Sequence, residues 1–373
     1  MTLREKIVNE IGRLGPIPFS RYMELCLYDP ELGYYSRNVE QFGRAGDFYT
    51  SSDVHAVFGR LLARQFEEMW RVLGQPGQME ILELGPGRGL FAHDVLDWAK
   101  KKFPQFFAAL HYSLLERSPA LQERLQATLS DHFAAGKVSL VRELPAACDR
   151  PLIVFANEFF DALPFEVLSS EGALRISAEG NRFVEIWAPA SATEIDFLDR
   201  YSVHPEDGER IEAQLQGQDA ISAFARAVVR GFALIIDYGC TRQEQIAGRH
   251  HGTLSVYRQH SVSADPYQAP GEQDITAHVN FTALADAADA HGMLVQTLVT
   301  QSQFLMGIGE QNQFADAFED TRLPQERAKV ALQLKHLVTP AGMGESFQVL
   351  ICSKGLKANE AASLSGLNFK GRL

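Results

Sequence analysis

Cysteine is scarce in this chain: 373 residues hold four, Cys26, Cys148, Cys240 and Cys352, set far apart. With no CxxC pair there is neither a zinc ribbon nor a thioredoxin-like redox pair, and the four read as free thiols of a reducing compartment. His250-His251, His260 and His278 lack the regular spacing of a zinc site, so no metal is expected. Net positive charge is missing as well. Lys and Arg number 35 against 47 Asp and Glu, a balance of −12. That excludes a broad grip on nucleic acid, which needs a basic face to neutralise phosphates. No apolar run approaches the roughly 18 residues of a membrane span. The first residues, MTLREKIVNEIGRLG, carry Glu5 and Glu10 and no long apolar core. They argue against a secretory or transit peptide and for a cytoplasmic location.

What is present is an ordinary globular composition, 46% hydrophobic and 22% charged. At roughly 150 residues per domain the length suggests about two domains, or one with insertions. Leu3, Ile7, Ile11 and Leu14 recur at helical spacing, and a second helix is expected from about Ser20 to before Pro30. The Gly-rich stretch 37–53 reads as a loop, with Ser52 or Asp53 capping a helix to about Leu73. From Met79 short apolar runs alternate with helical patterns: strands at 79–84, 111–117, 137–141, 151–156 and 231–239, then 293–300 and 346–354. Strands this apolar, alternating with helices, fit an α/β fold with a parallel sheet covered on both faces.

Two insertions interrupt the alternation, at about 165–230 and 240–280. In the first, the Glu179-Gly180-Asn181 turn between two β-rich runs predicts a hairpin. The second has little periodicity and reads as an ordered loop or cap. The division expected is a helical segment and lid loop over 1–75, the main domain over 76–354, and a mobile tail over 355–373.

The sharpest motif is Glu83-Leu84-Gly85-Pro86-Gly87-Arg88-Gly89, directly after a strand and before a helix. Glycines there allow a tight turn and let a ligand approach the helix N-terminus. The dinucleotide fingerprint needs a third glycine at position 90, where Leu90 stands, and Glu116 falls too far on for its acidic partner. A P-loop is excluded because no Lys-Ser/Thr pair follows.

This turn resembles the first motif of class I S-adenosylmethionine-dependent methyltransferases. Several blocks together resemble one family within that class, the MidA-type methyltransferases, related to a mitochondrial complex I assembly factor. The blocks are PFSRYMELCLYDPELGYYS, GRAGDFYTSSDVHAVFG, ELGPGRG, FANEFFDALP, IIDYG, GTLSVYRQH and GEQDITAHVNF, running from Pro18 to Phe281. The resemblance implies a class I Rossmann-like sheet, with an N-terminal helical segment and inserted hairpin and cap regions. The runs at 293–300 and 346–354 would form its reversed final pair. It implies S-adenosyl-L-methionine as cofactor and, in the mitochondrial branch, methylation of protein arginine, so the expected partner is a protein such as a respiratory-complex subunit. Thr50-Ser51-Ser52 departs from the family, which more often has a small residue and Pro after Thr.

On that footing Gly85, Gly87 and Gly89 lie along the methionine part of the cofactor. Glu83 attracts its ammonium or orders water beneath it, and Glu116 accepts both ribose hydroxyls. Asp47 and Thr50 close over it as a lid, or sit in a plain solvent loop. Asn157, Glu158 and Asp161 are the catalytic candidates. In a helical turn Glu158 and Asp161 would share a face and could hold a guanidinium fork, or the segment is ordinary capping and turn chemistry. His260, Asp274 and His278 could line the acceptor cleft, Asp237 could face it, and Tyr34-Tyr35 and Phe159-Phe160 read as core. Two other readings remain open: an assembly factor that binds the cofactor without turnover, and a small-molecule methyltransferase.

Overall fold

The apolar runs between Met79 and Lys354 join into one nine-stranded sheet in the computed structural model, which describes residues 1–37, 56–248, 252–258, 261–263, 265–340 and 342–369. In chain order the strands are β1 (Ile17–Pro18), β2 (Met79–Leu84), β3 (Leu110–Leu115), β4 (Val138–Val141), β5 (Leu152–Asn157), β6 (Glu166–Ser169), β7 (Gly172–Glu179) and β8 (Arg182–Ala188). They continue as β9 (Ile211–Ala213), β10 (Gly231–Cys240), β11 (Ser255–Arg258), β12 (Ser261–Ser263), β13 (Asp274–Thr276), β14 (Val279–Asn280), β15 (Leu294–Val295), β16 (Val299–Thr300) and β17 (Phe347–Lys354).

The large sheet runs β15-β17-β10-β5-β2-β3-β4. Strands β10, β5, β2, β3 and β4 are parallel, and β17 is antiparallel to β10. Alternate side chains of one strand enter two different cores, which is why these runs have no polar face. Ile81, Ile153 and Phe155 pack beneath the helices Ala56–Val72, Leu90–Lys102 and Gln301–Glu310. Leu82, Val154 and Ala156 pack beneath Leu215–Ala227 and Phe281–Ala290. The expected reversed pair is present, with β15 and β16 both antiparallel to β17. The long connection between them holds the helices Gln301–Glu310 and Pro324–Val338. Strand order changes direction at β2, whose neighbours are β3 on one side and β5 on the other, so a crevice is expected at the carboxyl ends of β2 and β5.

A second sheet, β1-β7-β6-β9 with β8 beside β7, joins the N-terminal segment to the first insertion. The helix Leu3–Leu14 opens on a Thr2/Glu5 capping box and buries Leu3, Ile7 and Ile11. Gly15 ends it at φ +81°. The next helix, Phe19–Tyr28, closes before Pro30 as expected. Both pack with Phe165, Leu174, Ile176 and Phe183 of the insertion in one core, so the two regions form a common lobe. The predicted hairpin is β7–β8, paired from Ala173↔Ala188 to Glu179↔Arg182 and turned by Gly180 at φ +60°.

Two expectations need correction. Residues 240–280 contain more than a loop: β11 pairs with β12 and β13 in a small sheet of its own, and β14 extends the large sheet beside β10. The tail is not mobile over 355–369, where Ala361 and Leu364 are buried. The Glu68 carboxylate accepts the Ser365 N–H (3.0 Å) and hydroxyl (2.6 Å), and the Gln65 carbonyl oxygen accepts the Gly366 N–H (3.0 Å). Buried polar partners of this kind hold a segment that composition alone marks as solvated.

Candidate functional site

A cavity of about 1480 Å³ opens at the carboxyl ends of β2, β3, β5 and β10 and reaches the N-terminal lobe and the small sheet. At its floor lies the glycine turn. Gly85, Gly87 and Gly89 have φ of +62°, +53° and +77°, which L side chains rarely adopt. A Cβ at Gly85 would sit 2.9 Å from Phe159 Cδ2, and one at Gly89 2.7 Å from Leu125 Cδ2. Gly89 caps the helix Leu90–Lys102 and supplies the close packing that a dinucleotide site takes from position 90.

Two buried carboxylates flank the turn. Glu83 is 5% exposed and accepts the Tyr112 hydroxyl at 2.9 Å; burial pushes its titration up to about 8. Glu116, one residue past β3, accepts the Ser118 N–H at 2.8 Å, and burial raises it to about 7. Both line the cavity. A cradle without Cβ atoms between two desolvated acids fits a ligand with an ammonium at one end and hydroxyl donors at the other, since such a ligand relieves the cost of burying both charges. Asp47 and Thr50 lie outside the described residues, as do Ser52, Asp53, His250, His251 and His260.

The acceptor side begins where β5 ends. Asn157 Nδ2 donates to Glu158 Oε1 at 3.1 Å. The helical turn that would place Glu158 and Asp161 on one face does not form: Glu158 has φ +50° and its N–H bonds Ile236 O at 3.0 Å, so the chain turns here instead of starting a helix. All three catalytic candidates nonetheless line the cavity. Asp161 is 6% exposed. Tyr238 Oη donates to Asp161 Oδ2, whereas Oδ1 has no hydrogen-bond partner among the described residues. Burial raises its titration to about 6.

Asp237 does not face the cleft. Its Oδ2 accepts the N–H groups of Phe159 (3.2 Å), Phe160 (2.9 Å) and Asp161 (3.3 Å), and its Oδ1 that of Tyr238 (2.9 Å). It is the buried fastener of the turn carrying Asp161. Asp274 and His278 do line the cavity, and Asp274 Oδ1 accepts the Tyr35 hydroxyl at 2.9 Å. Tyr34 is core as expected, but Tyr35 and Phe159 are not: both face the cavity. Sequence reasoning passed over Tyr28, Tyr238 and Tyr257 as well. For Tyr238 a signal existed in its place near the carboxyl end of an apolar strand; Tyr28 and Tyr257 stand in local patterns that carry none.

A family model for S-adenosyl-L-methionine-dependent methyltransferases matches residues 61–299. The chain belongs to this family. It is similar to the mitochondrial protein arginine methyltransferase NDUFAF7 homolog of Drosophila melanogaster, 31% identical over 95% of this chain and 85% of that protein. It is also similar to mitochondrial protein arginine methyltransferase NDUFAF7 of Homo sapiens, 26% identical over 91% of this chain and 81% of that one. A solved structure of a Burkholderia thailandensis protein bound to S-adenosyl-homocysteine superposes with a TM-score of 0.83 at 28% identity, covering 98% of this chain and 94% of that one. The cofactor of the methyltransferase is therefore S-adenosylmethionine, and the glycine cradle fits it. The cytoplasmic location expected from the sequence is corrected: the Drosophila melanogaster and Homo sapiens relatives are mitochondrial proteins. Among the described residues no helix is long and apolar enough to cross a membrane.

Proposed function

We propose that this methyltransferase methylates an arginine side chain of a partner protein. The observation that carries the reading is Asp161, a buried carboxylate with one unpartnered oxygen, set in the same cavity as the glycine turn. Leaving such an oxygen dry and unpaired is costly unless a cationic donor arrives to meet it. The names of the relatives as protein arginine methyltransferases support the same acceptor. A respiratory-complex subunit as the partner rests on the family resemblance.

Bound S-adenosylmethionine supplies an already activated methyl group, so the chain's task is binding and aim. In this reading Gly85 and Gly87 give backbone room to the methionine end, Gly89, which does not line the cavity, packs the turn against Leu125 and Leu129, and Glu83 balances the ammonium. Glu116 takes the ribose hydroxyls. Asn157 and Glu158 border the acceptor, while Asp161 Oδ1 accepts an N–H of the guanidinium and can receive the proton that its nitrogen gives up.

Labelled methyl transfer tests this. Wild type should place label on protein, recovered as methylarginine by mass spectrometry. Asp161→Ala should abolish transfer while S-adenosylhomocysteine still binds by calorimetry, and Gly87→Val should abolish that binding. Label confined to small molecules, or full transfer by Asp161→Ala, counts against it.

A further inference from the structure

Building on the proposed seat of the cofactor along the glycine turn, we infer that Phe159 and Asn157 form a subsite for the positively charged sulfur of S-adenosylmethionine, one that distinguishes the methyl donor from its neutral thioether product. Both residues line the cavity, Asn157 as the last residue of β5 and Phe159 two positions on. Leu84 pairs with Ala156, so the glycine turn leaves β2 at the level where Asn157 closes β5. A Cβ on Gly85 would meet Phe159 Cδ2 at 2.9 Å, which sets the ring directly against the turn backbone.

The order of groups along the cofactor decides where its sulfur falls. Sulfur joins the methionine carbons to the ribose, and its methyl has to face the acceptor. On the proposed reading the methionine end follows the turn after β2, the ribose meets Glu116 after β3, and the acceptor lies by Asp161 after β5. The methyl then faces the seam between β2 and β5, where Phe159 and Asn157 stand between Gly85 and Asp161.

Both side chains are held in place. The Phe159 N–H donates to Asp237 Oδ2 at 3.2 Å, and the ring meets Phe160 edge-on at 5.4 Å. Asn157 Nδ2 donates to Glu158 Oε1 at 3.1 Å, which fixes the amide plane. Its other end, Oδ1, is a buried oxygen with no hydrogen-bond partner among the described residues. A buried amide oxygen in that state is costly until a donor meets it.

A sulfonium suits this pair. It has no N–H or O–H; its charge is carried by sulfur and the hydrogens of the attached carbons. A ring face attracts such a cation, and a carbonyl oxygen accepts from its polarised C–H groups. Glu83 and Glu116 answer the ammonium and the ribose hydroxyls, which donor and product share, so they do not tell the two apart. Transfer moves the methyl carbon to the acceptor nitrogen, leaves the C–S electron pair on sulfur and frees one proton from that nitrogen. The sulfur is then neutral, and both contacts weaken at once. The subsite thus holds the donor and lets go of the product.

The test titrates the full chain calorimetrically, at one pH, with S-adenosylmethionine, S-adenosylhomocysteine and sinefungin, which carries a cationic amine where the donor has its methyl-bearing sulfur. Phe159→Leu keeps an apolar side chain without a ring face. It should weaken S-adenosylmethionine and sinefungin by about fivefold or more, and S-adenosylhomocysteine by less than about twofold. Asn157→Ala should shift the donor-to-product ratio in the same direction by about twofold to fivefold. Its effect should be larger for sinefungin, whose ammonium offers Oδ1 an N–H. Equal loss of all three ligands in Phe159→Leu, or a donor-to-product ratio that matches wild type in both variants, overturns the inference; if Asn157→Ala does not fold, the ratio in Phe159→Leu decides. Gly87→Val tests the seat beneath it and should abolish binding of all three ligands. Retained binding of all three in Gly87→Val removes that seat and the subsite with it, whereas equal loss in Phe159→Leu removes only the discrimination by charge.

Discussion

On the proposed reading, Glu83 joins burial, charge and cofactor affinity in one side chain. Burial disfavours the anion and pushes its carboxyl up to about 8, and Tyr112 only partly offsets this. An arriving ammonium favours the anion, so binding expels a proton at neutral pH. Affinity for S-adenosylhomocysteine should therefore rise with pH from about 6 to 8, and Glu83→Gln should flatten that slope in calorimetry. The protein alone behaves in the opposite sense. Glu83, Glu116 and Asp161 all titrate above their ordinary values in the folded chain, near 8, 7 and 6. Their neutral forms help stability at low pH, and that help is lost as pH rises through those values. The melting temperature without ligand should fall between pH 5 and 8, and added S-adenosylhomocysteine should restore most of it. At Gly85 the restriction is steric. Gly85→Ala pushes a methyl against Phe159 at φ +62°. The conformation alone should cost about 1–2 kcal/mol, read as a lower urea midpoint together with weaker cofactor binding.

Between residues and the whole sit the turns and strands, and the segment after β5 shows how an element outside the cleft governs it. Three successive amides at 159–161 close on one oxygen of Asp237, which enters from β10. Asp237→Ala strands these donors in a dry site, at about 1–3 kcal/mol for each left unsatisfied. Methyl transfer should collapse while S-adenosylhomocysteine binding survives, because the glycine turn is carried by β2; loss of both in parallel would show that the turn supports the whole crevice. Local patterns made much of this level legible. The glycine turn, the apolar strands and the Gly180 hairpin each announce themselves within a few residues, whereas the reversed final pair is legible only through the family resemblance. The pairing of Tyr238 with Asp161 spans 77 positions and that of Tyr35 with Asp274 spans 239. No spacing rule reaches so far. For the same reason Asp237 read as a cleft residue: its partners are backbone amides of another segment.

At the scale of the whole molecule, the tail shows that composition is a poor guide to order. Ser, Gly and Asn suit a solvated end and a capped, buried one equally well, and only the partners decide. Here Glu68 and Gln65 on the helix Ala56–Val72 hold Ser365 and Gly366. Removing residues 357–373 should leave the Glu68 carboxylate without those donors and lower the melting temperature by several degrees, read by differential scanning calorimetry.

The antiparallel pairing of Ile17 with Ile176 also sets an order of events during synthesis. The first strand leaves the ribosome early, yet its partner emerges about 160 residues later, roughly ten to thirty seconds at 5–20 residues per second. In that interval β2, β3, β4 and β5 have been made and can pair, while the N-terminal helices still expose the apolar faces they will bury. The glycine turn can thus form on the nascent chain before β1 meets β7, and the N-terminal helices wait for a partner made about 160 residues after them.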